Sequence, residues 1–287
     1  MRSLQYQEPL SQKARWSFLI AASSVAFFLG IFIWHRFFGL PTPLALKILG
    51  APVIGAAIGL TLGIAALITI WNEGMRGALR ASFALLLSAL VLAVPLWSLP
   101  NLLKLPRIYE VTTDPLSPPA FDRIAKIRQG QANSVHYDVS FRPLQAAAYP
   151  DIKPLQVQRP LIEVYSSVRE AVKALNWKVI DEQAPEGSKT GYIEAVDRTL
   201  LFGFTDDVVI RITGSPKNAK IDVRSSARFG QHDLGRNAER IRRFMAEVKS
   251  RIAELERGER MARLLAARQA QEQEKAKQQQ RQGRPYR

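Results

Sequence analysis

The residue types that could perform chemistry concentrate between Arg198 and Asp233, in the stretch RTLLFGFTDDVVIRITGSPKNAKIDVRSSARFGQHD. Eight charged side chains stand out there: Arg198, Asp206, Asp207, Arg211, Asp222, Arg224, Arg228 and Asp233. Strand alternation sends Val208, Ile210 and Ile212 one way and Asp207, Arg211 and Thr213 the other. In the next strand Ile221, Val223 and Ser225 oppose Asp222, Arg224, Ser226 and Arg228. One sheet face is therefore apolar, and the other carries Arg beside Asp. Two chemistries fit that second face. Arginine forks match the oxygen pairs of a phosphate or carboxylate, so an anionic small molecule or lipid head group suits it. The same residues also suit a lattice of cross-strand ion pairs, each contributing about 0.2–1 kcal/mol.

Catalytic arrangements are weaker fits. Asp206, Asp207 and Asp233 offer hard oxygen ligands to a divalent cation, as a metal-assisted hydrolase needs. Their spacing matches no known metal-binding loop, so a metal is left open. Ser225 or Ser226 with His232 and an Asp supplies the residue types of a nucleophilic triad, but no GxSxG elbow accompanies them. His232 is either a general base or a solvent-exposed turn residue. Asp233 reads as the N-cap of the following helix. The chain has no cysteine, which excludes disulfides, thiol nucleophiles, iron–sulfur clusters and Cys-based zinc sites. Its three histidines (His35, His136, His232) are too few for a His-rich metal centre. No motif implies a cofactor, and the balance favours a non-enzymatic protein.

Strands at Trp177–Asp181, Tyr192–Arg198, Asp206–Thr213 and Lys220–Arg228 must position these side chains, with turns at 185–188 and 214–218 between them. Before them, Pro160 opens a helix whose Leu161, Val164, Val168, Val172 and Leu175 recur at helical spacing. After them, Ala238, Ile241, Met245, Val248, Ile252 and Leu255 step by three and four along a second helix. Residues 159–255 thus predict an α+β domain in the order α-β-β-β-β-α, with an antiparallel sheet. Residues 106–158 predict a connector wrapping the domain. Pro106, Pro115, Pro118 and Pro119 keep it extended, Thr112–Asp114 suit a turn, and Tyr137, Tyr149 and Pro150 serve as anchors.

Upstream, residues 1–105 contain three charge-free stretches, 16–34, 48–71 and 81–103, each near the roughly 20 residues that cross a bilayer. Trp16, Trp34, Trp71 and Trp97 sit at or near their ends, where indole rings prefer the interface. Gly55, Gly59 and Gly63 line one helix face, for packing within the three-helix unit or for a homodimer. Lys and Arg flank the two sides equally, so charge bias gives no orientation. The net charge is +15, and Arg236 to Arg287 hold 15 Lys/Arg against 7 Glu. Residues 256–287 form a basic, low-complexity tail, helical or disordered, whose use is anionic lipid or a solvated surface. Nucleic acid is a poor fit, since only Tyr286 is there to stack.

The motifs VTTDPLSPPAF, Tyr149–Pro150, Ile193–Ala195, Arg198–Thr199, FGFTDDVVIR and DVRSSARFGQHDLGRNAERIRRF occur in order from about Ile108 to Val248. Together they resemble domain-of-unknown-function family 1499. The resemblance brings no established activity. Proteins similar to it often carry export or lipoprotein signals, which implies that this domain lies on the non-cytoplasmic side. The expectation is a multi-pass protein of the bacterial inner membrane. Its periplasmic domain is expected to bind an anionic ligand or an envelope protein through the eight charged residues.

Overall fold

The computed structural model describes residues 9–128, 132–186, 190–199 and 202–282, with 276–282 described by backbone alone. The first elements are α1 (Gln12–Phe37), α2 (Thr42–Ile48), α3 (Gly50–Glu73) and α4 (Ala78–Lys104). They make three helices long and apolar enough to cross a membrane, the middle one counted from Thr42 to Glu73. Leu10 bridges Arg76 at one end of this bundle, and His35 and Lys104 lie toward the other. The glycine face of α3 turns inward. A methyl group on Gly59 would stand 2.9 Å from Ser88 Oγ and 3.2 Å from Ala21 Cβ, and one on Gly63 2.8 Å from the Leu85 side chain. Gly55 sits as tightly against Ser24. The face that could have paired two copies is thus filled by α1 and α4 of the same chain.

Next come β1 (Glu110–Thr112), α5 (Arg123–Ile127), α6 (Phe141–Ala148), β2 (Leu155–Val157) and α7 (Leu161–Ala174). They are followed by β3 (Lys178–Gln183), β4 (Gly191–Arg198), β5 (Thr205–Gly214), β6 (Ala219–Ala227) and α8 (Arg236–Gln282). The strands form one antiparallel sheet ordered β1–β6–β5–β4–β3, with β2 also paired to β6. The four expected strands and both expected helices are present. The connector does more than wrap. Its β1 and β2 lie end to end along β6, so β6 is an interior strand. Neither was legible in the sequence, because three residues among prolines show no alternation.

Helices α7 and α8 cover one sheet face. Val208, Ile210, Ile212, Ile221 and Val223 meet Val164, Val168, Val172, Ile241, Phe244 and Val248 in the main core. Each such side chain contributes about 1.5–3 kcal/mol on full burial. Trp177 stacks on Phe244 with ring centroids 5.4 Å apart. On the opposite face, Phe121 and Ile124 of the connector pack on Val196 and Val209. Glu194 of β4 holds that cover down by accepting the N–H groups of Asp122, Arg123 and Ile124 at the start of α5. The charged face is therefore roofed over.

Strand direction separates the two ends of the domain. The loops leaving β4 and β6 face the apolar helices, and β2 marks the far end by pairing with Ala219–Ile221. Just after β2, Arg159 pairs with Glu256 and Glu259 of α8. Helix α8 thus begins at the apolar bundle and passes the far end of the sheet near Glu256. At 1.5 Å per residue it extends about 70 Å. Of the two expectations for the tail, helix holds through Gln282.

Candidate functional site

The structure divides the eight charged residues between two faces and one end of the sheet. Asp207, Arg211, Asp222, Arg224 and Arg228 lie under the connector, each engaged within the chain. Arg224 is 2% exposed and donates from Nε to Glu110 Oε2 at 2.8 Å, while Phe121 and Tyr137 stack over its guanidinium. Arg228 donates to Asp207 Oδ1 at 2.7 Å, and buried Arg128 approaches Asp207 Oδ2 at 3.2 Å. Arg211 pairs with Asp222 at 2.9 Å and leans on Asp114, which also accepts from Lys220. The ion-pair lattice is present, but buried rather than solvated. These arginines are occupied.

On the helix side, Arg240 of α8 is the hub. It donates to Asp206 at 2.6 Å, Asp197 at 2.7 Å, Asn237 Oδ1 at 2.8 Å and Ser225 Oγ at 3.1 Å. Burial disfavours its charge, yet Asp206 and Asp197 outweigh burial and raise its pKa. Asp233 caps α8 as expected, accepting from the N–H of Gly235 and of Asn237 at 2.9 Å each. Burial nonetheless pushes its carboxyl above the usual range. His232 is neither exposed nor free. Its Nδ1 accepts from Leu234 N–H at 2.9 Å, and its Nε2 donates to the Leu105 carbonyl at 3.2 Å, tying the β6–α8 turn to the end of α4.

These partners dissolve the catalytic constellations. Asp206 is held by Arg240, Asp207 by Arg228 and Arg128 across the sheet, and Asp233 by backbone N–H groups. Among the described residues no cluster of three His, Asp or Glu could hold a metal ion. Ser225 donates to Asn237 Oδ1, not to His232.

What the structure does assemble is a crevice of about 330 Å³ between the domain and the apolar helices. Leu46 and Leu49 of α2–α3 and Val94 and Ser98 of α4 form one wall. The opposite wall is Thr199, Phe202 and Phe204 from the β4–β5 loop and Thr205 and Asp206 at the start of β5, with Phe229, Gly230, His232, Asp233, Leu234 and Arg236 after β6. The β4–β5 loop is closed by Thr199, whose Oγ1 accepts the Phe204 N–H at 2.9 Å. Gly203 takes φ +73°, a left-handed conformation that side chains resist. That turn stacks Phe202 on Phe204 and drives Phe202 edge-on into Phe28 and Phe32 of α1. His35 fixes the insertion: Nδ1 donates to the Phe202 carbonyl at 2.8 Å, and Nε2 accepts from Thr42 at 3.0 Å. Arg198 closes the loop from outside, donating to the Gly203 carbonyl.

Of the expected site residues, Asp206 and Asp233 line this crevice and Arg198 borders it; the other five lie on the far face of the sheet. Sequence reasoning missed Glu110, Arg128, Asn237 and Arg240, although Asn237 and Arg240 stand within GRNAER. It also missed the role of FGF at 202–204, which falls between two of the expected strands. The phenylalanines of α1 at spacings of four gave the one available signal.

No curated protein and no solved structure matches the chain. Residues 110–248 match the family model described as protein of unknown function (DUF1499). That span runs from β1 through the core-facing part of α8 and contains the charged pairs on both faces of the sheet. By that match, the domain built on this sheet is a member of the DUF1499 family.

Proposed function

We propose that this is a multi-pass protein of the bacterial inner membrane whose domain faces the periplasm and binds, rather than transforms, a membrane amphiphile. One observation carries the reading: the crevice takes one wall from the apolar helices and the other from the family's FGFTD and FGQHDLGR loops. A ligand there is in contact with both the bilayer and the domain, which suits a molecule with an apolar and a polar end. Three spans would carry the N-terminus and the domain to opposite sides of the bilayer, whichever side the domain takes. The periplasmic side is supported by the export signals of proteins similar to the domain. The domain's buried arginines supply rigidity; the junction supplies the binding surface.

Mass spectrometry of the intact chain extracted in mild detergent tests the ligand. The parent protein should retain an amphiphile that a Ser98→Trp variant, with the crevice filled, does not. An unliganded parent defeats the reading. Reporter fusions after Lys104 and after Arg287 test the side: activity of an export-dependent reporter at both positions is expected, and activity of a cytoplasmic reporter refutes a periplasmic domain.

A further inference from the structure

Charge is segregated in this molecule. Inside the domain Arg128, Arg211, Arg224, Arg228 and Arg240 each meet a carboxylate. At the end facing the apolar helices the cations lack a carboxylate: Arg198 donates to the Gly203 carbonyl and Arg36 lies over the Phe37 ring. Arg36, Arg198 and Arg236 form no ion pair with any described residue, and the same holds for Lys47 and Lys104. Arg36 and Arg198 flank Gly203 from two sides, their side chains 3.0 Å and 3.6 Å from where its Cβ would be. Arg236 lines the crevice itself, in the first turn of α8. The two carboxylates of the crevice do not neutralise them, since Arg240 takes Asp206 and the start of α8 takes Asp233.

We propose that the crevice holds a phospholipid with an anionic head group, an inference that rests on the amphiphile reading above. The phosphate is held by Arg236 with Arg198 and Arg36 at the rim, and the acyl chains run down Leu46, Leu49 and Val94 toward the bilayer. The physical argument is complementarity. Unpaired guanidiniums at the level of lipid phosphates gain charge-assisted hydrogen bonds there. A neutral or zwitterionic head group leaves that positive collar uncompensated. Thr199 and Ser98 add hydroxyls to the lining of the crevice.

The test uses the full chain, delipidated in detergent and titrated with phosphatidylglycerol, phosphatidylcholine and free glycerol phosphate, with binding read by native mass spectrometry. Phosphatidylglycerol should bind at one site and more tightly than phosphatidylcholine. Each of Arg36→Gln, Arg198→Gln and Arg236→Gln should weaken it about fivefold, and should weaken phosphatidylcholine less, because choline already offsets that lipid's phosphate. Ser98→Trp should remove both lipids. Equal binding of the two lipids, or arginine variants that leave phosphatidylglycerol binding intact, overturns the anionic assignment while the amphiphile reading stands. Glycerol phosphate binding as tightly as the lipid makes the site one for free phosphate esters and overturns the lipid. No binding of either lipid overturns both. Arg236 is exposed and Arg36 half-buried, so their variants report on binding without a core rearrangement, and Arg198→Gln keeps an N–H donor for the Gly203 carbonyl.

Discussion

Replacing Arg224 separates a structural role from a ligand-binding one. The guanidinium is 2% exposed, Glu110 is fully buried, and the two meet through Nε at 2.8 Å. In an Arg224→Met variant Glu110 keeps one further hydrogen bond, from the Asp138 N–H at 2.8 Å, and stays in a site closed to water. Removing one partner of such a pair costs about 3–5 kcal/mol. Loss of the Phe121 and Tyr137 faces stacked over the cation adds to this. For a domain of this size class each kcal/mol moves the midpoint by about 2–4 °C, so Tm should fall by roughly 6 to 20 °C. Thermal unfolding of the full chain in detergent, followed by tryptophan fluorescence, reads it, because Trp177 is stacked in the core against Phe244. The double variant Glu110→Gln, Arg224→Met removes the stranded charge and should recover part of the loss. An Arg224→Met protein melting within about 2 °C of the parent refutes the reasoning and returns Arg224 to the list of free, ligand-facing forks.

Three more outcomes follow from the geometry. Gly59→Ile should destabilise the apolar bundle by at least the roughly 1–3 kcal/mol of overpacking, whereas Gly30→Ile, with open space around its Cβ position, should melt like the parent. Asp233→Ala should cost about 0.5–2 kcal/mol in domain stability by stripping the start of α8 of its acceptor, measured by the same melt. Burial pushes the Tyr137 and Tyr149 hydroxyls up to about 12. Their folded pKa values exceed the unfolded value of about 10, so the stability they contribute is whole below that pH and lost as pH rises through about 12. Absorbance titration of the phenolates should show Tyr137 and Tyr149 ionising late, together with unfolding.

Local patterns determined much of this protein in advance. Unbroken apolar runs set the three long helices, since a polar side chain there has nowhere to go. Period-two alternation set the four long strands and sorted Asp207, Arg211, Asp222 and Arg224 onto one face. Three- and four-residue spacing set the helices that pack on the other. Asp233 announced the start of α8, because a carboxylate beside free N–H groups is a local matter. What only the tertiary structure decided is which surfaces remain open. The charged face looked available because nothing in β5 or β6 says that Phe121, Ile124 and Arg128, far earlier in the chain, close over it. Glu110 belongs to a three-residue strand whose partner, Arg224, is 114 residues away, and no spacing rule spans that distance. The crevice is the strongest case. Its walls come from α2–α3, α4, the β4–β5 loop and the β6–α8 turn, and it exists because Phe202 inserts among Phe28, Phe32 and His35. Each residue's type was legible; their meeting is a property of the fold.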